Sequence, residues 1–310
     1  MAVAAGSHKT VLPTLHTLDT SRPYWADYRG LLQHLRQAAP ATDEPPGPQQ
    51  LQSLLPPHAV NQRGMPIRFR PSTLLPGVAY EQHIFQTGEV STRANHWHDL
   101  FNALVWCRFT GLKSAMNAAH CAQIGLRYVD VRRGDVRHGD LRHGTGRGPR
   151  RDALTLFDES GVMVVSASKN FLNALAAREW NEVFVQQKSL WHEEVLVFVC
   201  GHALLEKFLT PYKALTAHAL LLHIDDELAH LPREEVLQSL DRGLAGALAE
   251  GRMLESTGSL SPMPLMGISG WWPDAEQDAG FYSDRQVFRP SAAIQPTAAV
   301  LEFADYHARP

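Results

Sequence analysis

The sequence predicts an α+β fold: a single core of short strands and hairpins packed with helices, with an irregular C-terminal coil over it. Three observations carry this. Short β-branched runs and amphipathic helical stretches fall in separate blocks, without regular β–α alternation. The 310 residues are 44% hydrophobic and 20% charged, enough to bury a full core without disulfides or metal staples. Proline- or glycine-rich stretches at Gln37–His58, Arg127–Arg151 and Ser261–Pro290 punctuate the chain. These divisions predict an N-terminal helix and proline-rich lead over 1–64, a core domain over 65–290 with an Arg/Gly-rich loop at 127–151, and a tail over 291–310.

In order, Trp25, Tyr28, Leu31, Leu32 and Leu35 recur at helical spacing and predict an amphipathic helix over Tyr24–Leu35. Six prolines in the 22 residues of Gln37–His58 exclude a continuous helix or central strand. Ile67–Arg70 alternates apolar and basic, and Tyr80–Val90 has the β-branched and aromatic character of a strand or hairpin. Asn95 is placed to cap a helix from His96 to Phe109, and Gly111 separates it from a second helix over Leu112–Ile124. Ala153–Phe157 and Val162–Ser166, bracketing Asp158-Glu159-Ser160-Gly161, predict a hairpin. Phe171–Glu179 reads as helix, Val195–Cys200 as a buried strand, and Gly201–Leu209 as a helix stopped before Pro211. Thr216–Ile224 fits a strand or a buried helix, and Arg233–Glu250 is an amphipathic helix ended by Gly251. The coil Ser261–Pro290 carries Trp271, Trp272, Phe281 and Tyr282, too much apolar area to leave in water, and is expected to cover a face of the core.

With 29 Lys+Arg against 32 Asp+Glu and a formal charge of −3, the chain is not basic as a whole, so any nucleic-acid contact must be a local patch. Arg127–Arg151 is the candidate: its 25 residues hold eight arginines, three aspartates and five glycines, with Asp135–Gly139 repeated as Asp140–Gly144. Either it is a solvated loop enlarged by duplication, or its arginines meet phosphates of a nucleic acid or nucleotide. Cys107, Cys121 and Cys200 form no Cys-x-x-Cys pair and read as reduced core thiols of a cytoplasmic protein. The N-terminal residues lack the basic start and apolar stretch of a secretory signal, and no apolar run is long enough to cross a membrane.

Chemistry concentrates near Arg93–Asn102. His98, Asp99 and Asn102 sit against an apolar run, with His98 and Asn102 four apart on one helical face. Lys113, Asn117 and His120 repeat such a face on the next helix. Buried polar groups need partners, so a mutual hydrogen-bond network competes with a catalytic site built from Arg93, His98, Asp99, Asn102, Lys113 and Asn117. Asp158-Glu159 and the His202/Glu206 pair could converge on it. Histidine with carboxylates is the ligand set of zinc, manganese or iron, so His98, Asp99, His120, Asp158, Glu159, His202 and Glu206 are the candidate ligands of a divalent metal, zinc or manganese. No His-Glu-x-x-His, P-loop, Gly-x-Ser-x-Gly or dinucleotide fingerprint is present.

The phrases Thr92–Trp106, Arg151–Gly161, Gly201–Lys207 and Pro264–Trp272 resemble the signature blocks of a bacterial family, domain of unknown function number three-zero-two-five, over about Arg68 to Pro290. The resemblance implies a shared fold and brings no activity with it. The Arg-rich repeat then looks like an insertion, and the proline-rich N-terminus lies outside the resemblance, so neither is expected to serve what the common domain does. Two functions follow from the residues: a metal-assisted hydrolase acting through the His/Asp/Glu cluster, or a non-enzymatic binding or scaffold protein whose polar clusters are structural networks. Convergence of these side chains on one concave pocket separates the two.

Overall fold

The computed structural model describes residues 12–38, 44–72, 80–132, 148–290 and 298–306. Pro23–Trp25 makes a single 3-10 turn before Arg29–Ala38 (α1), and Pro48–Gln52 (α2) is a short helix with proline in its first turn. Arg68–Pro71 (β1) and Glu89–Thr92 (β2) pair in parallel across Tyr80–Thr87 (α3). The helices Trp97–Arg108 (α4), Thr110–Arg132 (α5) and Pro149–Ser160 (α6) come next. Gly161–Ser166 (β3), Lys169–Ala176 (α7), Leu190–Glu193 (α8), Val195–Val199 (β4), His202–Lys207 (α9) and Thr216–His223 (β5) follow. Asp226–Ala229 (α10), Arg233–Ala249 (α11), Ser261–Pro264 (β6), Ala279–Tyr282 (α12) and Leu301–Glu302 (β7) complete the order. The α+β prediction stands.

The larger sheet runs β4-β3-β5-β6, with β7 also paired to β5. β3 is antiparallel to β4 and parallel to β5, and all six of its residues are buried, which is why Val162–Val165 is a continuous apolar run. β6 and β7 take the two halves of the same β5 edge, at Thr216–Ala219 and Leu222–His223. The register Val162↔Val199 sets the start of β3 beside the end of β4. The last turn of α6 and the first turn of α9 therefore meet at one end of the sheet.

Two strand predictions are corrected. Tyr80–Thr87 is helical: Tyr80 and Ile84 stand one turn apart, Gly88 donates its N–H to Ile84 O at 2.8 Å, and its φ of +74° is the left-handed stop that glycine supplies. Only Glu89–Thr92 is strand. Ala153–Phe157 belongs to α6, and no hairpin forms with β3. Pro149 in the first turn, Asp152 near the N-terminus, and Ala153, Leu154 and Phe157 on one buried stripe are helix signals that a five-residue window cannot show. Asp158 and Glu159 consequently close a helix rather than a turn.

Smaller differences have local causes. The N-cap of α4 is His96, and Asn95 takes a left-handed φ of 59° just before it. α5 starts at Thr110 because Asp241 on α11 accepts the Gly111 and Leu112 N–H groups at 2.9 and 2.8 Å. A Cβ at Gly111 would lie 2.9 Å from that carboxylate, so this glycine permits the cap. α5 continues to Arg132 and α6 begins at Pro149, which trims the irregular stretch from both ends; the Asp135–Gly144 repeat lies outside the described residues.

The N-terminal lead is built into the core. Tyr24 stacks on Phe208 at 4.2 Å and meets Trp271 edge-on at 5.5 Å, and Trp25 stacks on Phe101 of α4. Tyr28 Oη donates to Val199 O at 2.6 Å, three residues before His202. Trp271, Phe281 and Phe288 are buried, so the C-terminal segment covers the core as expected, but it is not all irregular coil: Ser261–Pro264 (β6) pairs with β5, and Ala279–Tyr282 (α12) is helical.

Candidate functional site

Three helix ends bring the polar groups together: the first turn of α4 with His98, the last turn of α6 with Asp158 and Glu159, and α9 with His202 and Glu206. Two glycines make the approach possible. A Cβ at Gly201 would sit 2.5–2.7 Å from the backbone of Glu159, Ser160 and Gly161, and one at Gly161 would meet Phe157 O at 2.3 Å. Gly161 O in turn accepts the Cys200 and Gly201 N–H groups at 3.0 and 2.8 Å.

At the centre, His98 Nε2 and His202 Nε2 are 3.1 Å apart, and Glu159 Oε2 is 3.6 Å from His202 Nε2. Ligand atoms of His98, Glu159 and His202 all lie within 4.8 Å of one another. Behind each ring stands a carboxylate. His98 Nδ1 donates to Glu206 Oε2 at 3.0 Å, which fixes the tautomer and leaves a lone pair on Nε2. His202 Nδ1 lies 3.6 Å from Asp158 Oδ2 and is buried without a hydrogen-bond partner. Burial pushes the His202 imidazole down to about 4, so at neutral pH the ring carries one proton for two nitrogens. If that proton sits on Nε2 it bridges to His98 but leaves the Nδ1 lone pair facing Asp158. If it sits on Nδ1 it answers Asp158, and two Nε2 lone pairs then face one point, the arrangement that a cation satisfies.

Asp158 is held by a second group. Burial opposes its charge, but Lys113, whose Nζ donates to Oδ1 at 2.6 Å, and His202 outweigh it and leave the carboxyl below its ordinary range. Burial and then Asp158 push Glu159 and Glu81 up. Asn117 Nδ2 donates to Glu81 Oε2 at 2.6 Å and to Glu81 O at 2.8 Å, and His120 lines the same small void as Lys113 and Asn117. Asp99 accepts from Arg93 N, Nε and Nη2 at 2.7, 3.0 and 2.8 Å; burial opposes its charge, yet these bonds hold it below the usual carboxylate range.

A cavity of about 400 Å³ opens onto the cluster, lined by Arg93, His98, Asp99, Asn102, Asp158, Glu159 and His202 together with Ser72, Tyr80, Glu81 and Ser91. Of the residues read as ligands from sequence, His98, Glu159 and His202 converge. Asp158 and Glu206 stand behind the imidazoles, Asp99 is taken up by Arg93, and His120 faces the neighbouring void. Lys113 and Asn117 join Asp158 and Glu81 instead of the cavity. Tyr80 and Glu81 escape the sequence reading because a strand is expected there, and the helical spacing of Tyr80, Glu81 and Ile84 is the available signal; Ser91, on β2, carries no local signal of its own.

Around the cluster, the carboxyl groups of Glu81, Asp99, Asp158, Glu159 and Glu206 outnumber the cations Arg93 and Lys113. No helix among the described residues is long and apolar enough to cross a membrane. No curated protein and no solved structure matches the chain. A family model does, over residues 67–292, and the chain therefore belongs to the family described as Protein of unknown function (DUF3025).

Proposed function

We propose that the chain is a metal-assisted hydrolase whose divalent cation, zinc or manganese, is held by His98, His202 and Glu159. One observation carries the reading: two imidazole Nε2 atoms 3.1 Å apart beside a carboxylate, each ring backed by a second carboxylate. Zinc–nitrogen bonds of about 2.0–2.1 Å in tetrahedral geometry separate two nitrogens by roughly 3.3 Å, so little movement is needed to receive the ion. Two histidines and one glutamate leave a coordination position open, and the cavity lies against it. A cation held there would act as a Lewis acid and would make a water nucleophilic, zinc by lowering that water's pKa to about 7. The cation's charge would also offset the excess of carboxyl groups around the cluster.

Elemental analysis of the purified protein and of His98→Asn, with denaturant unfolding of both, tests this. Wild type should carry or take up about one equivalent of zinc or manganese, and the folded variant should lose it. Glu206→Gln should weaken uptake roughly 10–100-fold by releasing His98 from its orienting carboxylate. A metal-free wild type whose unfolding midpoint added zinc and manganese leave unmoved overturns the reading.

A further inference from the structure

One helical turn beyond His98, the cavity lining carries a pair of groups whose mutual hydrogen bond is incomplete. Asn102 Nδ2 donates to Tyr80 Oη at 2.9 Å. The phenol oxygen is thus an acceptor in that bond, and its own proton has no partner among the described residues. The other end of the Asn102 amide is in the same condition: Oδ1 is buried and has no hydrogen-bond partner. Ser91 Oγ, on the same cavity, is a third such atom. A buried polar atom left unpaired costs about 1–3 kcal/mol, and a cavity that collects several is shaped for a polar guest. The lining therefore holds one unmet donor, the Tyr80 hydroxyl, and one unmet acceptor, Asn102 Oδ1, on two side chains joined by that 2.9 Å bond; Oδ1 is buried, so a guest meets it as the Asn102 side chain turns toward the cavity.

The complementary guest offers an acceptor and a donor side by side. Esters and phosphate esters lack the donor, and a phosphate would set its anionic oxygens against Asn102 Oδ1, Asp99 and Glu159. An amide with its C=O and N–H on the same side has both. We infer that the substrate is a cyclic or primary amide, with Tyr80 donating to the carbonyl oxygen and Asn102 Oδ1 accepting the amide N–H. The inference rests on the hydrolase reading and specifies its bond. Hydrolysis adds one water across that bond: the water oxygen joins the carbonyl carbon with one proton, the C–N bond breaks, and the nitrogen takes the other proton, giving an amino acid from a cyclic amide, or a carboxylic acid and ammonia from a primary one. As charge builds on the carbonyl oxygen, the Tyr80 hydrogen bond strengthens, so the residue favours the transition state over the bound substrate.

The test uses zinc-loaded full-length protein and three probes of nearly equal shape: 2-piperidone, its N-methyl derivative and δ-valerolactone. NMR titration reads binding, and the 5-aminopentanoate signal reads ring opening. Wild type should bind 2-piperidone at least tenfold more tightly than either analogue. Asn102→Leu should abolish that preference, and Tyr80→Phe should weaken all three about tenfold, with zinc content unchanged in both. If zinc binds but wild type treats the three probes alike, or binds none of them, the amide assignment falls and the cation site stands. If wild type takes up no zinc or manganese, the hydrolase reading falls and the amide assignment with it. The wild-type comparison needs no variant to fold.

Discussion

On the α5 side of Asp158 the charges are answered within the protein: Lys113 meets Asp158, and Asn117 meets Glu81. On its other side, two imidazole nitrogens and a carboxylate converge on one point, with His98 held from behind by Glu206 and Asp158 standing 3.6 Å behind His202. Both regions are helical faces with polar residues three or four apart, and both border Asp158. The difference lies in where the polar atoms point. Groups that point at each other form a network that stabilises the fold, whereas groups that point at a common empty position form a site.

This contrast is sharpest for stability at Lys113. Lys113→Met takes the buried ammonium away from the half-buried Asp158, which keeps only His202 beside it, and should cost about 3 kcal/mol in urea unfolding, the low end of the range for breaking a buried pair. The double variant Lys113→Met/Asp158→Leu should recover much of it. His98→Asn should cost far less, since half-exposed His98 leaves no buried charge behind. If the two single losses come out equal, the distinction between network and site fails.

An intermediate effect is expected at the glycine that brings the helices together. Gly201→Ala places a methyl 2.5–2.7 Å from the backbone around Ser160. Moving α9 away should cost about 1–3 kcal/mol and, unlike Lys113→Met, should also lower zinc uptake, because His202 then leaves Glu159. Unchanged uptake measured by equilibrium dialysis would mean that the cluster does not depend on this approach.

The smallest effect belongs to a pair of neither kind. Arg108 bonds Glu234 at the surface, and that bond first of all holds the Glu234 carboxyl below its ordinary value. Glu234→Gln should cost less than about 1 kcal/mol at pH 7. With the folded pKa depressed, the contribution is complete above the unfolded value of about 4.3 and fades as pH falls through the folded one. The gap between the unfolding curves of wild type and variant should therefore narrow from pH 7 to pH 3, and a gap just as wide at pH 3 would deny the ion pair its role.

Sequence reading was most accurate where one element dictates its own pattern. The run Val162–Val165 reads as a buried strand because β3 is covered on both faces, and Val236, Leu237, Leu240, Leu244 and Leu248 trace one stripe of α11. It failed at Tyr80–Thr87 and Ala153–Phe157, short windows in which aromatic and β-branched content outweighed helical spacing. That error hid Tyr80 and Glu81, and it placed Asp158 and Glu159 on a turn.

What the sequence determined by itself was the α+β class, the order of most elements, and the residue types able to hold a cation, because periodicity and side-chain chemistry are local properties. Which of seven candidate ligands converge was decided only by the tertiary structure. His98 and Glu159 are 61 residues apart, and Glu159 and His202 are 43 apart. They meet because β3 and β4 pair in one register and two glycines let α6 and α9 approach within backbone contact. The direction in which a nitrogen lone pair points is set by that packing, and no spacing along the chain encodes it.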